Sequence, residues 1–189
     1  MKLCIFFGTF NPIHNAHIKM AEFVLKNFGF EKIIFIPAYK PPHKDYDLEM
    51  SYHRLNMVKL ATEYNKNFEV SDIEFQRDTK SYTYLTILEL YKKYNPNGKI
   101  SMIIGTDALK KIETWYETDK LKNLVDFIVF IRENEHVNLD WLKEKGYNFQ
   151  TADMPFEDIS STKIREKGEL KNVPPKVKEY IEKNGLYKN

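Results

Sequence analysis

The chain carries one cysteine, Cys4, in 189 residues. An internal disulfide is therefore excluded, and no Cys/His cluster stands at the spacing of a zinc site. Cys4 lies inside an apolar run and reads as a small buried hydrophobe. No apolar stretch approaches ~18 residues, so no transmembrane helix is expected. Met1-Lys2-Leu3-Cys4 passes straight into a short strand without the apolar core of a signal peptide, and the cytoplasm is the expected compartment. Net charge is also scarce. Twenty-nine Lys+Arg against 27 Asp+Glu leave +2, too little to draw in nucleic acid or an anionic membrane by bulk attraction. Arginine is rare: Arg54, Arg77, Arg132 and Arg165 are the full set. Guanidinium groups suit bidentate recognition of phosphate and carboxylate, so each merits separate inspection. Internal repeats and low-complexity segments are absent.

What is present is enough for one core. Hydrophobic residues make up 42% and charged residues 30%, the balance of a water-soluble globular chain. Apolar strand-like runs alternate with helix-like periods. Strands are expected at residues 2–7, 32–36, 68–71, 99–104, 125–131 and 147–150. Helices are expected at 15–28, 51–64, 82–94, 119–123, 138–145, 161–167 and 174–183. Runs such as Ile33-Ile34-Phe35-Ile36 and Ile128-Val129-Phe130-Ile131 read as strands buried on both faces, which suits a parallel sheet covered by helices. Gly29 and Gly146 fall where helix C-caps are needed, and Pro174-Pro175 opens the last helix. The expected fold is a doubly wound, Rossmann-like α/β domain with a mainly parallel sheet. It spans 1–189 as one domain, with a nucleotide-binding core over about 1–155 and a small helical C-terminal part over about 156–189.

The most informative stretch is Gly8-Thr9-Phe10-Asn11-Pro12-Ile13-His14-Asn15-Ala16-His17. It joins the first strand to the first helix, the crevice where open parallel sheets bind nucleotides. A helix start offers free N–H groups and a positive dipole end, both suited to phosphate. His14 and His17 are three residues apart and share one face of the first helical turn. Donors at that point would stabilise a charged phosphoryl group without nucleophilic attack.

Other positions read two ways. Ser160 and Ser161 are ordinary helix starters, yet Arg165, one turn on, could grip a triphosphate. Gly105 and Asp107 end an apolar strand, where a glycine admits a ligand closely and the carboxylate either caps a helix or meets a hydroxyl. Thr83 reads as a helix start. Trp115 and Tyr116 stand in a polar segment as core residues or as a stacking platform. Lys40, His43 and Lys44 lie on a proline-stiffened loop over 37–50, as a solvated cluster or as cations for phosphate. Arg132 ends a strand at the presumed ligand edge. Arg54 and Arg77 read as surface or structural residues, and His53 and His136 as exposed residues without partners.

Gly8 through His17 resembles the first signature of the T/HxGH nucleotidyltransferases, and Ile159-Ser160-Ser161-Thr162-Lys163-Ile164-Arg165 resembles their second, ISSTxIR. Three further segments resemble the bacterial nicotinate mononucleotide adenylyltransferase family in particular. These are Pro37 to Lys44, Ser81-Tyr82-Thr83, and Ile104-Gly105-Thr106-Asp107 followed by Thr114-Trp115-Tyr116-Glu117. The C-terminal run Tyr180 to Tyr187 fits as well. The resemblance implies adenylyl transfer from ATP to nicotinate mononucleotide in NAD biosynthesis. It implies ATP contacts from Gly8, Thr9, Phe10, His14, His17, Gly105, Ser160, Ser161 and Arg165, with Asp107 on a ribose hydroxyl. His14, His17 and Arg165 would carry the catalysis. Trp115 would stack on the pyridine, and Thr83 with the Tyr116 backbone would receive its carboxylate. Lys40, His43, Lys44 and Arg132 would complete the substrate site. Mg²⁺ would arrive with ATP, with no protein metal site. Neither nucleic acid nor membrane is expected as a partner, and homo-oligomer formation is left open. The family pattern often has glycine at Phe7, aspartate at Asn11 and glycine at Ala16. Phe7 is expected to alter packing beneath the loop, and Ala16 to take a little room beside His17. The competing readings are nicotinamide mononucleotide or phosphopantetheine as acceptor, cytidylyl transfer to glycerol phosphate, and a nucleotide-binding module without catalysis.

Overall fold

The computed structural model describes residues 1–42, 47–132, 135–154 and 159–188. Along the chain run β1 (Cys4–Gly8), α1 (Asn15–Asn27), β2 (Ile33–Pro37), α2 (Leu48–Thr62), β3 (Phe68–Val70), α3 (Thr83–Tyr94) and β4 (Ile100–Gly105). There follow α4 (Thr106–Leu109), α5 (Thr118–Leu121), β5 (Val125–Phe130), α6 (Asp140–Glu144), β6 (Asn148–Ala152), α7 (Ser161–Lys167) and α8 (Pro175–Asn184). Single 3-10 turns lie at Ile73–Gln76, Ile112–Thr114 and Leu170–Asn172.

Every expected strand and helix is present, with ends displaced by a few residues. The helix expected from 51 starts earlier, at Leu48, because the Asp47 side chain accepts from the Glu49 N–H and caps it. The four-residue α4 and the 3-10 turns were not expected, since each is about one turn long, too short for an apolar period to repeat.

The sheet order is β3-β2-β1-β4-β5-β6 and all five pairings are parallel. This is the doubly wound order, and it reverses direction at β1 and β4. The alternation of strand side chains explains the continuous apolar runs. Cys4, Phe6, Ile33, Phe35, Ile103, Ile128 and Phe130 face one layer. That layer holds Ala21 and Val24 of α1, Val58 of α2, Ile164 of α7, and Val177 and Ile181 of α8. Ile5, Ile34, Ile36, Met102, Ile104, Phe127 and Val129 face the other. There Ile87 and Leu90 of α3, Ile112, Leu121 of α5 and Leu142 of α6 cover them. The C-terminal helices thus share a core cluster with β1 and β2. Each fully buried side chain of this size contributes about 1.5–3 kcal/mol of burial.

Gly8, Pro37, Gly105 and Phe130 end four neighbouring strands at one edge of the sheet. The two glycines are needed for different reasons. A Cβ on Gly8 would lie 2.7–2.9 Å from the Phe10 ring. Phe10 is itself buried, in a left-handed conformation at φ 51°, and packs edge-on to Phe6 and His17. It cannot yield. A Cβ on Gly105 would meet nothing within 4 Å, so the space above that glycine is open to a ligand. Gly8→Ala is therefore expected to lower stability by about 1–3 kcal/mol through overpacking. Gly105→Ala should leave the melting temperature unchanged while weakening nucleotide binding. Thermal melts with and without ATP check both, and equal melting temperatures for the two variants would contradict this packing account.

Candidate active site

His14 is the N-cap of α1 and His17 sits one turn along. The His14 N–H donates to His17 Nδ1 at 3.1 Å, which places the proton of a neutral His17 ring on Nε2. The rings stack, with centroids 3.7 Å apart and planes at 20°. Burial pushes the His14 pKa down to about 4, with the nearby Arg132 charge adding to it. Burial and the neighbouring His14 hold His17 well below the usual histidine range. Both rings are neutral at physiological pH. Two touching cations could not be kept in one buried turn.

The loop before them is held by its carbonyls. Arg54 Nη1 donates to the Thr9 carbonyl at 2.7 Å, and Nη2 donates to Ser51 Oγ at 2.9 Å. Arg165 Nη1 donates to the Asn11 carbonyl at 2.8 Å. Ser161 Oγ donates to the Pro12 carbonyl at 2.9 Å, and the Tyr187 hydroxyl donates to Asn11 Oδ1. Ser160, by contrast, serves its own helix: its Oγ accepts from the Lys163 N–H. Arg54 is not a surface residue. It is 3% exposed, and burial lowers its pKa to about 10, which leaves it charged. Its place mid-helix gave no sequence signal, and Tyr187, 176 residues beyond Asn11, lay in the C-terminal run that resembled the family without a role assigned to it. His53 also departs from expectation: its Nδ1 lies 2.7 Å from the Tyr180 hydroxyl, joining α2 to α8.

Two cavities flank the end of β1. The larger, about 650 Å³, is lined by Thr9, Asn11, His17, Arg54, Ser161 and Arg165 among others. The smaller, about 420 Å³, is more apolar and is walled by Trp115, Tyr116, Thr83, Pro42 and Ile104, with Glu74, Asp107 and Lys111 as its charged members. Phe6, Phe7, Gly8, Thr9 and Pro41 line both. Phe7 therefore stands in the cavity walls, which corrects the expectation that it alters only the packing beneath the loop. Glu74 and Lys111 were not anticipated from sequence, where each is one charge among many.

The remaining expected residues divide. Thr83 opens α3, and Tyr116, 46% exposed, packs its ring against Tyr82 at 4.7 Å. Asp107 pairs with Arg132 at 2.7 Å, so the two meet each other as well as the ligand edge. Lys40 Nζ pairs with Asp78 and lines neither cavity. His43 and Lys44 lie outside the described residues. Among the described residues no group of three or more His, Cys, Asp or Glu side chains is placed to hold a metal ion. Likewise, no helix among them is long and apolar enough to cross a membrane.

A doubly wound sheet, paired neutral histidines on a strand-to-helix loop and a helix N-terminus opposite them define a nucleotidyltransferase. The cytidylyltransferase-like family model matches residues 5–167. The nicotinate-nucleotide adenylyltransferase of Bacillus subtilis is 41% identical over 194 residues, covering 100% of this chain and 99% of its own. Two solved structures of the Plasmodium falciparum nicotinic acid mononucleotide adenylyltransferase, complexed with NaAD and with APC, share the fold. Their TM-scores are 0.83 and 0.78, at 21% and 22% identity. Each covers 98% of this chain, with 97% and 96% of the other chain matched. The chain belongs to the nicotinate-nucleotide adenylyltransferase family.

The buried ionisable groups give opposite pH slopes. The unfolded chain protonates its histidines first, near 6.5, so His14 and His17 withdraw stability as pH falls towards about 4. Burial raises the Glu74 pKa to about 7 from 4.5, so Glu74 adds stability as pH falls through that window. The His14 and Glu74 terms are each about 3 kcal/mol. Between about pH 7 and about pH 5, Glu74→Gln should steepen the fall of Tm and His14→Asn should flatten it. Parallel Tm–pH curves for the wild type and both variants would contradict the assignment.

Proposed function

We propose that the chain transfers the adenylyl group of ATP to nicotinate mononucleotide, giving nicotinate adenine dinucleotide and pyrophosphate for NAD biosynthesis. The observation that carries this is the pair of cavities with one shared wall. A polar cavity bearing His17, Arg54 and Arg165 suits a triphosphate, and an apolar one bearing Trp115 and Tyr116 suits a pyridine. Their common wall, Phe6 to Thr9, puts the two substrates side by side, so positioning supplies much of the rate.

The acceptor's phosphate oxygen attacks the α-phosphorus of ATP in line, and pyrophosphate leaves. No covalent enzyme intermediate is needed, because the substrate supplies the nucleophile. His17 Nε2–H and the ring of His14 donate to phosphate oxygens as charge shifts toward the leaving group. Arg165, anchored on the Asn11 carbonyl, has further N–H groups to offer the triphosphate. Gly105 admits the nucleotide, and Asp107 accepts from a ribose hydroxyl in exchange for part of its pairing with Arg132. Trp115 stacks on the pyridine, with Thr83 and the Tyr116 N–H on its carboxylate.

Mg²⁺, as part of the ATP substrate, would supply charge compensation for the pyrophosphate leaving group. The donor set fits that route. The larger cavity is furnished with N–H and guanidinium donors, and its carboxylate, Asp47, is engaged as the cap of α2. The protein works in the cytoplasm, as one domain over 1–189. Lys40, His43 and Lys44 are assigned the neutralisation of substrate phosphate charge.

The test is pyrophosphate release with ATP, Mg²⁺ and nicotinate mononucleotide, nicotinamide mononucleotide or phosphopantetheine. Faster release with the nicotinate form is expected. Equal rates would keep the reaction and revise the pocket, whereas release with phosphopantetheine alone, or none at all, would overturn the reading. His17→Ala is expected to reduce turnover by ~10² or more, the cost of one transition-state donor. A folded His17→Ala protein with wild-type turnover would remove that role.

A further inference from the structure

Resting on the reading of the smaller cavity as the acceptor pocket, we infer that Glu74 determines the preference between an acid and an amide on the acceptor ring. Glu74 is 1% exposed, on the 3-10 turn after β3, and lines the same cavity as Thr83, Trp115 and Tyr116. Its Oε2 accepts from Thr86 Oγ1 at 2.7 Å, and Thr86 in turn accepts from Arg77 Nη2 at 2.7 Å. Oε1 is sealed from solvent in the unliganded chain and has no hydrogen-bond partner among the described residues. With Oε2 committed as an acceptor, the proton of a neutral carboxyl sits on Oε1.

Such a proton has an obvious use. A buried O–H facing a carboxylate forms a short, charge-assisted hydrogen bond. The same carboxyl, once ionised, places like charges together in a water-poor pocket and rejects the acid. An amide substituent is neutral and tolerates either state. Burial pushes the Glu74 pKa up to about 7, against the pull of Thr86, Ser81 and Arg77 and with a small push from Glu89. Glu74 thus changes charge near neutrality.

The surrounding groups do not mimic this behaviour. Arg77 is fixed on Thr86 and Glu89. Ser81 accepts from the Tyr39 and Lys40 N–H groups. Asp107 and Lys111 line the cavity as well, and Lys40 pairs with Asp78 on the adjoining loop. The hydrogen bond and charge of Lys40 hold the Asp78 carboxyl below its usual range. The acceptor's own phosphate titrates at about pH 6. That titration is common to acid and amide acceptors and cancels in a ratio.

The experiment measures kcat/KM for nicotinate and for nicotinamide mononucleotide with ATP and Mg²⁺ from about pH 6 to about pH 8.5, in wild type and Glu74→Gln. In wild type the acid-to-amide ratio is expected to fall roughly tenfold as pH rises across that range. In Glu74→Gln, whose amide is a permanent donor, the ratio should stay flat. A flat wild-type ratio overturns the inference without any variant, and so does an equal slope in a folded Glu74→Gln protein. Absence of pyrophosphate release with both mononucleotides in wild type overturns the pocket reading itself, a different failure.

Discussion

The site depends on how the backbone carbonyls of residues 9–12 are held. A strand that ends at Gly8 and must turn into a helix at Asn15 leaves a loop whose polar groups face two ways. Its carbonyls are taken up by Arg54 from α2 and by Ser161 and Arg165 from α7, and Tyr187 near the end of the chain takes the Asn11 side chain. With three of its carbonyls occupied, the loop has N–H donors and neutral imidazoles to offer a ligand. The same contacts bind α2, α7 and the last residues to the central strand. The geometry of the loop and its ties to α2, α7 and the last residues therefore come from one set of bonds.

That arrangement has an electrostatic consequence. Two guanidinium groups sit beside the loop, and one is nearly sealed from water. Arg54 remains charged in that setting because three oxygen atoms surround it: the carbonyls of Thr9 and Tyr39 and the Ser51 hydroxyl. The histidines respond oppositely. They give up their charge to burial, so the positive charge beside the loop comes from arginine. On the other side of the shared wall the balance reverses. The smaller cavity is mostly apolar, with one interior carboxyl whose proton is held close to neutrality. The two chemistries are kept apart by the thickness of one strand end, Phe6 to Thr9.

What could be read in the sequence follows from the range of each interaction. Strands such as Ile33 to Ile36 and helices such as α1 carry their periods in adjacent residues, so the alternating fold and the parallel sheet were legible. The Gly8–His17 segment was legible as a phosphate-facing loop because its glycine, its histidines and the helix start are contiguous. The clamp was not. Arg54, Tyr187 and Glu74 act on residues that topology alone brings near. The pairing of Asp107 with Arg132 and of Lys40 with Asp78 likewise joins segments far apart in sequence. Ser160 shows the converse. Its position in a signature suggested a ligand contact, while local geometry uses it as a helix cap. His53 found a partner for the same reason as Arg54, through the packing of α2 on the C-terminal segment.

The most direct test is a crystal structure with a non-hydrolysable ATP analogue and nicotinate mononucleotide bound together. The account predicts triphosphate oxygens within hydrogen-bond distance of His17 Nε2 and Arg165, and the pyridine against Trp115. It also predicts the Arg54–Thr9 and Arg165–Asn11 bonds unbroken. A triphosphate lying in the Trp115 cavity, or a loop released from Arg54 and Arg165 on binding, would contradict it.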